Sequence, residues 1–235
     1  MKIWQNRKIL IIDDEPSMCR LVASIFERLG AEVSSTFTGE GGLRSVQDER
    51  PDLVILDILL PGMDGLEVCR RIREFSDVPI VMLTAVGRDS QLVRCLYAGA
   101  DDYVTKPFKP DVLKARAWAV IRRADAWPEF EPKSSYNDGH LLIDLDSNTI
   151  TAENKQVQLT TTEFQVLAYL YRNSGQMCDV SEILQYLWGD GFGGSHEEVR
   201  IYIWHLRQQL EPNPQEPIYI VGNHDVGYSF QSKGS

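Results

Sequence analysis

Three carboxylates, a hydroxyl and an amine fall at matching stations along the first half of the chain. Asp57 ends the apolar run Leu53–Val54–Ile55–Leu56, and Ile58-Leu59-Leu60-Pro61-Gly62 follows. Asp13 and Asp14 follow the run Ile9–Ile12, and Thr84 ends Pro79-Ile80-Val81-Met82-Leu83. Lys106 follows Asp102-Tyr103-Val104-Thr105 and precedes Pro107. Short apolar runs of this kind read as parallel strands buried on both faces. Open α/β sheets place their chemistry at the C-terminal ends of such strands. Three clustered carboxylates are costly unless a cation compensates them, and hard oxygen donors with room for waters suit Mg²⁺. A strand-end aspartate beside that ion can attack a phosphoryl donor and become an aspartyl phosphate. Lys106 would neutralise one phosphoryl oxygen, the Thr84 hydroxyl could donate to another, and the small Ala85 leaves the pocket accessible. Each residue also has a plainer reading: Asp13 and Asp14 as helix caps, Lys106 as a surface lysine, Thr84 as an ordinary strand residue. Together those readings need four coincidences at one sheet edge.

The elements that must hold these residues alternate. Strand patterns cover 8–12, 32–37, 53–57, 80–84 and 102–105. Helical patterns cover Ser17 to Leu29, with Leu21, Ile25 and Leu29 at helical spacing, then 41–48, 65–74, 89–98 and 111–123. Five strands with intervening helices imply a doubly wound parallel sheet covered on both faces, in a flavodoxin-like order. Pro128-Glu129-Phe130-Glu131-Pro132-Lys133-Ser134-Ser135 breaks the pattern and reads as a linker. The expected division is 1–124, a linker over 125–136, and 137–235. Beyond the linker come strand candidates around 140–144, 149–152 and 156–159, then helix candidates at 161–173, 180–188 and 196–210. A hairpin signal closes the chain, with strands 218–221 and 226–230 around Gly222-Asn223-His224-Asp225.

Composition excludes some classes. No apolar stretch approaches the length of a transmembrane helix. The N-terminal Met1-Lys2-Ile3-Trp4 runs towards a strand pattern without a signal-peptide cleavage site, so a cytoplasmic location is expected. The four cysteines show no CxxC spacing, and Cys19 and Cys69 read as small apolar packing groups. Charge is uneven. Residues 1–128 hold 18 basic and 19 acidic residues, a net of −1, whereas residues 129–235 hold 6 and 15, a net of −9.

The first half resembles the receiver domain of two-component response regulators. The matching pieces are Ile11-Ile12-Asp13-Asp14-Glu15-Pro16, Leu56-Asp57-Ile58 with Pro61-Gly62-Met63-Asp64-Gly65, Leu83-Thr84-Ala85, and Ala98-Gly99-Ala100-Asp101-Asp102-Tyr103-Val104-Thr105-Lys106-Pro107-Phe108. The resemblance implies that Asp57 is the phosphoacceptor, that Asp14 ligates Mg²⁺ directly and Asp13 through water, and that the Leu59 carbonyl adds a ligand. It also implies a cis Lys106–Pro107 peptide, a sensor histidine kinase as phosphoryl source, and a Thr84–Tyr103 switch coupling. The face made by 89–98, 102–105 and 111–123 resembles the pairing surface of one subfamily, with cross-subunit pairs Asp101–Arg116 and Asp102–Arg123. A third pair is replaced by apolar Leu92 and Val112. Leu59 and Val86 flank the expected site, and neither can orient an attacking water, so slow self-dephosphorylation, over hours, is expected. An aspartate-nucleophile phosphatase fits poorly. Such enzymes usually carry a second aspartate two residues on, where Leu59 stands here.

Residues 139–230 resemble the winged helix-turn-helix effector of the OmpR/PhoB subfamily. The match rests on Leu159-Thr160-Thr161-Thr162-Glu163-Phe164-Gln165-Val166-Leu167, Leu187-Trp188-Gly189, Val199 to Leu210 with Glu211-Pro212, and Val226-Gly227-Tyr228-Ser229-Phe230. Thr160 or Thr161 is expected to cap the first helix, and Ser195 to open the third, the recognition helix, through a capping box. Val199, Ile203, Leu206 and Leu210 should face the core. Arg200, Trp204, His205 and Arg207 are the expected DNA-facing residues, with Asn223 and His224 at the wing. Trp204-His205 stands where the family commonly has two arginines, and the wing carries Asp225 in place of its usual arginine. With a net of −9, this half opposes long-range attraction to DNA. The resemblance implies a homodimer on promoter DNA, on direct repeats, with RNA polymerase as a further partner. The alternative is an effector acting mainly through a protein partner.

Overall fold

The computed structural model describes residues 4–85, 94–125, 135–189 and 195–232. Two compact units divide at Asp125 and Ala126. In the first, strands β1 (Lys8–Ile12), β2 (Glu32–Thr36), β3 (Leu53–Asp57), β4 (Ile80–Ala85) and β5 (Asp102–Lys106) form one parallel sheet in the order β2-β1-β3-β4-β5. The order reverses beside β1, so the C-terminal ends of β1 and β3 border the crevice where such sheets bind ligands.

The uninterrupted apolar runs serve two cores because successive side chains point to opposite faces. Leu10, Ile12, Val54, Leu56, Ile80 and Met82 pack on one side, against residues of α2 (Gly39–Glu49) and α3 (Gly65–Arg73). Ile9, Ile11, Leu53, Ile55, Val81 and Leu83 pack on the other, against α1 (Pro16–Glu27) and α4 (Pro110–Asp125). Residues 94–97 are also helical. One expected core position differs. Leu21 is exposed, and Cys19, Val22, Ile25 and Phe26 form the buried face of α1. Proline at the first turn fixes where α1 begins, and that register turns Leu21 to solvent.

The second unit opens with an antiparallel sheet of β6 (Ser135–Asn137), β7 (Leu141–Asp144), β8 (Thr149–Ala152) and β9 (Lys155–Gln156). Strand β6 corrects the linker reading, which extended through residue 136. Ser135–Asn137 pairs with β7, and the Tyr136 ring packs edge-on against Tyr171, Tyr219 and Phe230. Residues 126–134 of the expected linker lie outside the described residues.

Helices α5 (Thr161–Arg172), α6 (Val180–Trp188) and α7 (His196–Leu210) follow, then the hairpin of β10 (Ile220–Asn223) and β11 (Gly227–Phe230). This is a winged helix-turn-helix. All three helices start with reciprocal capping boxes: Thr160 with Glu163, Asp179 with Glu182, and Ser195 with Glu198. Val199, Ile203, Leu206 and Leu210 are buried as a stripe along α7, the spacing that seats one helical face on a core.

Candidate functional site

Asp13 follows β1 and Asp57 ends β3, so their side chains emerge at adjacent C-terminal strand ends. Both carboxylates are buried, whereas Asp14 is exposed. Ligand atoms of Asp13, Asp14 and Asp57 all lie within 4.8 Å of one another. Gly65 makes this packing possible at the start of α3. A Cβ there would stand 2.0 Å from the Asp57 carbonyl oxygen, closer than any side chain allows. The neighbouring Asp64 carboxylate caps α3 by accepting from the Glu67 amide at 2.8 Å.

Lys106 arrives from the end of β5. Its ammonium lies 2.8 Å from Asp13 Oδ2 and 3.1 Å from Asp57 Oδ1. The Lys106–Pro107 peptide is cis. Asp13 Oδ1 accepts from the Glu15 amide at 2.9 Å, and the Cys19 thiol donates to the Asp13 carbonyl at 3.3 Å. Burial raises the Asp57 carboxyl above its ordinary range, and the Asp13 charge adds to this, against the pull of Lys106. Burial works against the Lys106 ammonium too. Its bond to Asp13 and the charge of Asp57 outweigh that and hold it protonated more firmly than a free lysine. One cation facing three carboxylates leaves about two negative charges uncompensated. That hard, all-oxygen donor set fits a divalent cation.

Thr84 is buried near the end of β4, with its hydroxyl 3.4 Å from the Ala85 carbonyl, and Ala85 is exposed. Leu59 is 63% exposed, and its backbone amide hydrogen-bonds the Asp57 carboxylate. Val86 lies outside the described residues. Tyr103 is half-buried, with the Arg116 guanidinium 5.3 Å from its ring centre.

Within one chain, the residues expected at the pairing surface have these partners. Arg116 pairs with Asp102 of the same chain, and the Asp102 carboxylate also accepts from the Tyr103 amide at 2.8 Å. Asp101 is fully buried. Its Oδ2 accepts from Arg73 Nη2 at 2.8 Å and from the Ile80 amide at 2.9 Å. Arg73 also donates to the carbonyls of Gly99 and Val78, at 2.8 and 2.7 Å. A buried carboxylate needs such partners, and Arg73, on α3, supplies them from a residue that the strand pattern around Asp101 did not indicate. Leu92 and the side chain of Arg123 lie outside the described residues, and Val112 is 44% exposed.

In the second unit, α7 presents Arg200 and Trp204 outward. Arg200 pairs with Glu197 at 2.9 Å, both side chains being exposed, and Trp204 is 43% exposed. Two other expected DNA-facing residues point elsewhere. His205 Nδ1 lies 2.6 Å from Glu163 Oε1, in a largely buried pair between α7 and α5. Arg207 donates from Nε to the Ile220 carbonyl and from Nη2 to the Gly222 carbonyl, each at 2.9 Å. Both flank the buried Leu206, so they leave the helix beside the core rather than opposite it. At the wing tip, Asn223 Oδ1 accepts from the amides of Asp225 and Val226, and His224 Nε2 sits 3.2 Å from Asp225 Oδ1.

Comparison with known proteins agrees with this architecture. Residues 9–117 match the response regulator receiver domain, and residues 154–230 match the family described as transcriptional regulatory protein, C terminal. The chain is similar to the alkaline phosphatase synthesis transcriptional regulatory protein PhoP of Bacillus subtilis, at 38% identity over 96% of this chain and 97% of that one. It is 37% identical to the DNA-binding response regulator MtrA of Mycolicibacterium smegmatis, over 95% of this chain and 96% of that one. The crystal structure of DrrB, described as a Thermotoga maritima OmpR/PhoB homolog, aligns with a TM-score of 0.50 and 32% identity, over 97% of this chain and all of that one. The match over 154–230 favours DNA over a protein partner as the target of the second unit. The chain belongs to the OmpR/PhoB family of two-component response regulators, phosphorylation-dependent regulators of transcription.

Proposed function

We propose that Asp57 is the residue phosphorylated, that the receiver then pairs with a second copy, and that two winged helices bind promoter DNA on direct repeats. The observation that carries the first step is the Lys106 ammonium set between Asp13 and Asp57 at one sheet edge. The Asp57 carboxylate oxygen bonds to phosphorus, and the bond from phosphorus to the kinase histidine nitrogen breaks, its electron pair leaving with that nitrogen. Lys106 then faces a phosphoryl oxygen in place of the Asp57 charge. The Thr84 hydroxyl donates to another, and Tyr103 follows Thr84 inward. Asp13, Asp14 and Asp57, with the Leu59 carbonyl, would hold Mg²⁺, which supplies charge neutralisation for the incoming phosphoryl group when bound.

The pairing face includes Asp102, Arg116, Tyr103 and Val112, with Leu92 and Arg123 as sequence expectations. Arg200, Trp204, Asn223 and His224 face DNA, and RNA polymerase is a further partner. Among the described residues no helix is long and apolar enough to cross a membrane, and action in the cytoplasm fits that. Leu59 beside the site offers no group to orient water, so the phosphoryl lifetime runs to hours. Sedimentation with and without acetyl phosphate and Mg²⁺, followed by selection from random duplexes, tests the whole reading. Phosphorylation should yield a dimer that enriches tandem half-sites and sheds its phosphoryl group over hours. A phosphoprotein that stays monomeric, enriches nothing, or loses its label within seconds contradicts it.

A further inference from the structure

The geometry of α7 and β10 points to Arg207 as a positioning residue that fixes the wing on the recognition helix, rather than as a reader of DNA. The hairpin β10–β11 is a two-stranded sheet, marginal on its own at this size; Cys178 and Gly175 bond the far side of β11, at Tyr228 and Phe230, which leaves the outer edge of β10. Gln231 N donates to the Tyr219 carbonyl, and in the same register Val221 and Asn223, at alternate positions, direct their backbone groups to β11. Ile220 and Gly222, at alternate positions, turn theirs away. Those outward groups belong to a strand edge and need partners of their own.

The last turn of α7 supplies them. Arg207 donates to the carbonyls of Ile220 and Gly222, two residues apart, as the planar fork of a guanidinium can. Four residues on, the Glu211 carboxylate accepts from the amides of Ile218, Tyr219 and Ile220. Arg207 also lies 5.7 Å from the ring centre of Tyr228, the residue of β11 opposite Gly222. The two side chains together stand in for a neighbouring strand at the β10 edge. Gly222 is set by the hairpin itself: its φ is +106°, and a Cβ there would meet the Gly227 carbonyl oxygen across the strands at 2.2 Å. A guanidinium bound in this way holds the wing tip at a set angle to the face that carries Arg200 and Trp204.

The inference rests on the reading of the second unit as DNA-binding, and the test separates the two. The full-length protein is compared with Arg207→Ala, Arg207→Lys and Arg200→Ala. Amide hydrogen exchange across 220–230 is followed without DNA. Affinity for a duplex selected by the phosphorylated wild type is measured from about 50 to 200 mM salt. A residue that contacts phosphate lowers the log-affinity against log-salt slope by about one when removed. Arg200→Ala should do this and leave wing exchange unchanged. Arg207→Ala should speed wing exchange at least tenfold and weaken binding at least tenfold, at an unchanged slope. Arg207→Lys keeps charge and stem but lacks the fork, so it should resemble Arg207→Ala. Wild-type wing exchange in either Arg207 variant, or a shallower slope in Arg207→Ala, overturns the proposal. If Arg207→Ala unfolds the unit, Arg207→Lys decides. If the wild type selects no duplex, the DNA reading falls, and the exchange data alone still judge the clamp.

Discussion

Lys106 Nζ lies 3.1 Å from Asp57 Oδ1 while also bonding Asp13 Oδ2 at 2.8 Å. A single ammonium therefore keeps two buried carboxylates from facing each other bare. Lys106→Met removes that charge. Breaking a fully buried pair costs about 3–5 kcal/mol. Lys106 is partly exposed, so the expected loss at pH 7 is ~1–3 kcal/mol. The loss should shrink as pH falls and the Asp57 carboxyl, held above its ordinary range, takes up a proton, and on adding millimolar Mg²⁺. Thermal unfolding with and without MgCl₂ reads both effects; equal melting of variant and wild type at pH 7 would count against the arrangement.

Arg73 and Asp101 form a second buried pair, away from the phosphoryl site. Arg73→Ala removes the guanidinium from the Asp101 carboxylate and from the Gly99 and Val78 carbonyls. We expect a loss of about 3–5 kcal/mol, seen in denaturant unfolding of the full chain. A change below ~1 kcal/mol would show that water replaces the guanidinium.

The Asp138 carboxyl is partly buried, which works against its charge. Bonds from the amides of Leu141 and His140 and the hydroxyls of Tyr219 and Tyr136 outweigh this and hold it down at about 2. An unfolded aspartate titrates near ~3.9. The folded value is the lower one, so the contribution is complete above the unfolded value and is lost as pH falls through about 2. Asp138→Asn should cost ~1 kcal/mol at pH 7, after allowance for solvent screening, and the gap should close between about pH 4 and pH 2. A pH-independent gap in melting temperature would assign the loss to shape rather than charge.

Val112 is exposed on α4, on the face proposed for pairing. Burying a valine contributes about 1.5 kcal/mol or more, so Val112→Lys should weaken the phosphorylated dimer roughly tenfold. Sedimentation equilibrium reads this directly. An unchanged dimer constant would place pairing on another surface.

The parallel sheet was legible because strands buried on both faces leave uninterrupted apolar runs, and because Asp13, Asp57 and Thr84 each stand at the end of one, with Lys106 closing the mixed run Asp102–Thr105. The caps at Thr160 and Ser195 were legible because they are local, though the matching box of Asp179 with Glu182 was not read. Strand β6 was not. Ser135–Asn137 is short and polar, and it becomes a strand only through β7 and the aromatic partners of Tyr136. Nor was the partner of Asp101, because Arg73 lies 28 residues away. On α7 the periodicity separated the core stripe from the other faces, yet it could not show which polar side chains already had partners. His205 and Arg207 carry the right chemistry for DNA, but Glu163 and the wing carbonyls hold them.

The central claim is that Asp57 accepts the phosphoryl group. The most direct measurement is intact-protein and peptide mass spectrometry after treatment with acetyl phosphate and Mg²⁺, on the wild type and on Asp57→Asn. The account predicts the added mass of one phosphoryl group on the peptide that contains Asp57, and none on the variant. No added mass on the wild type, or the same addition on the variant, would contradict it.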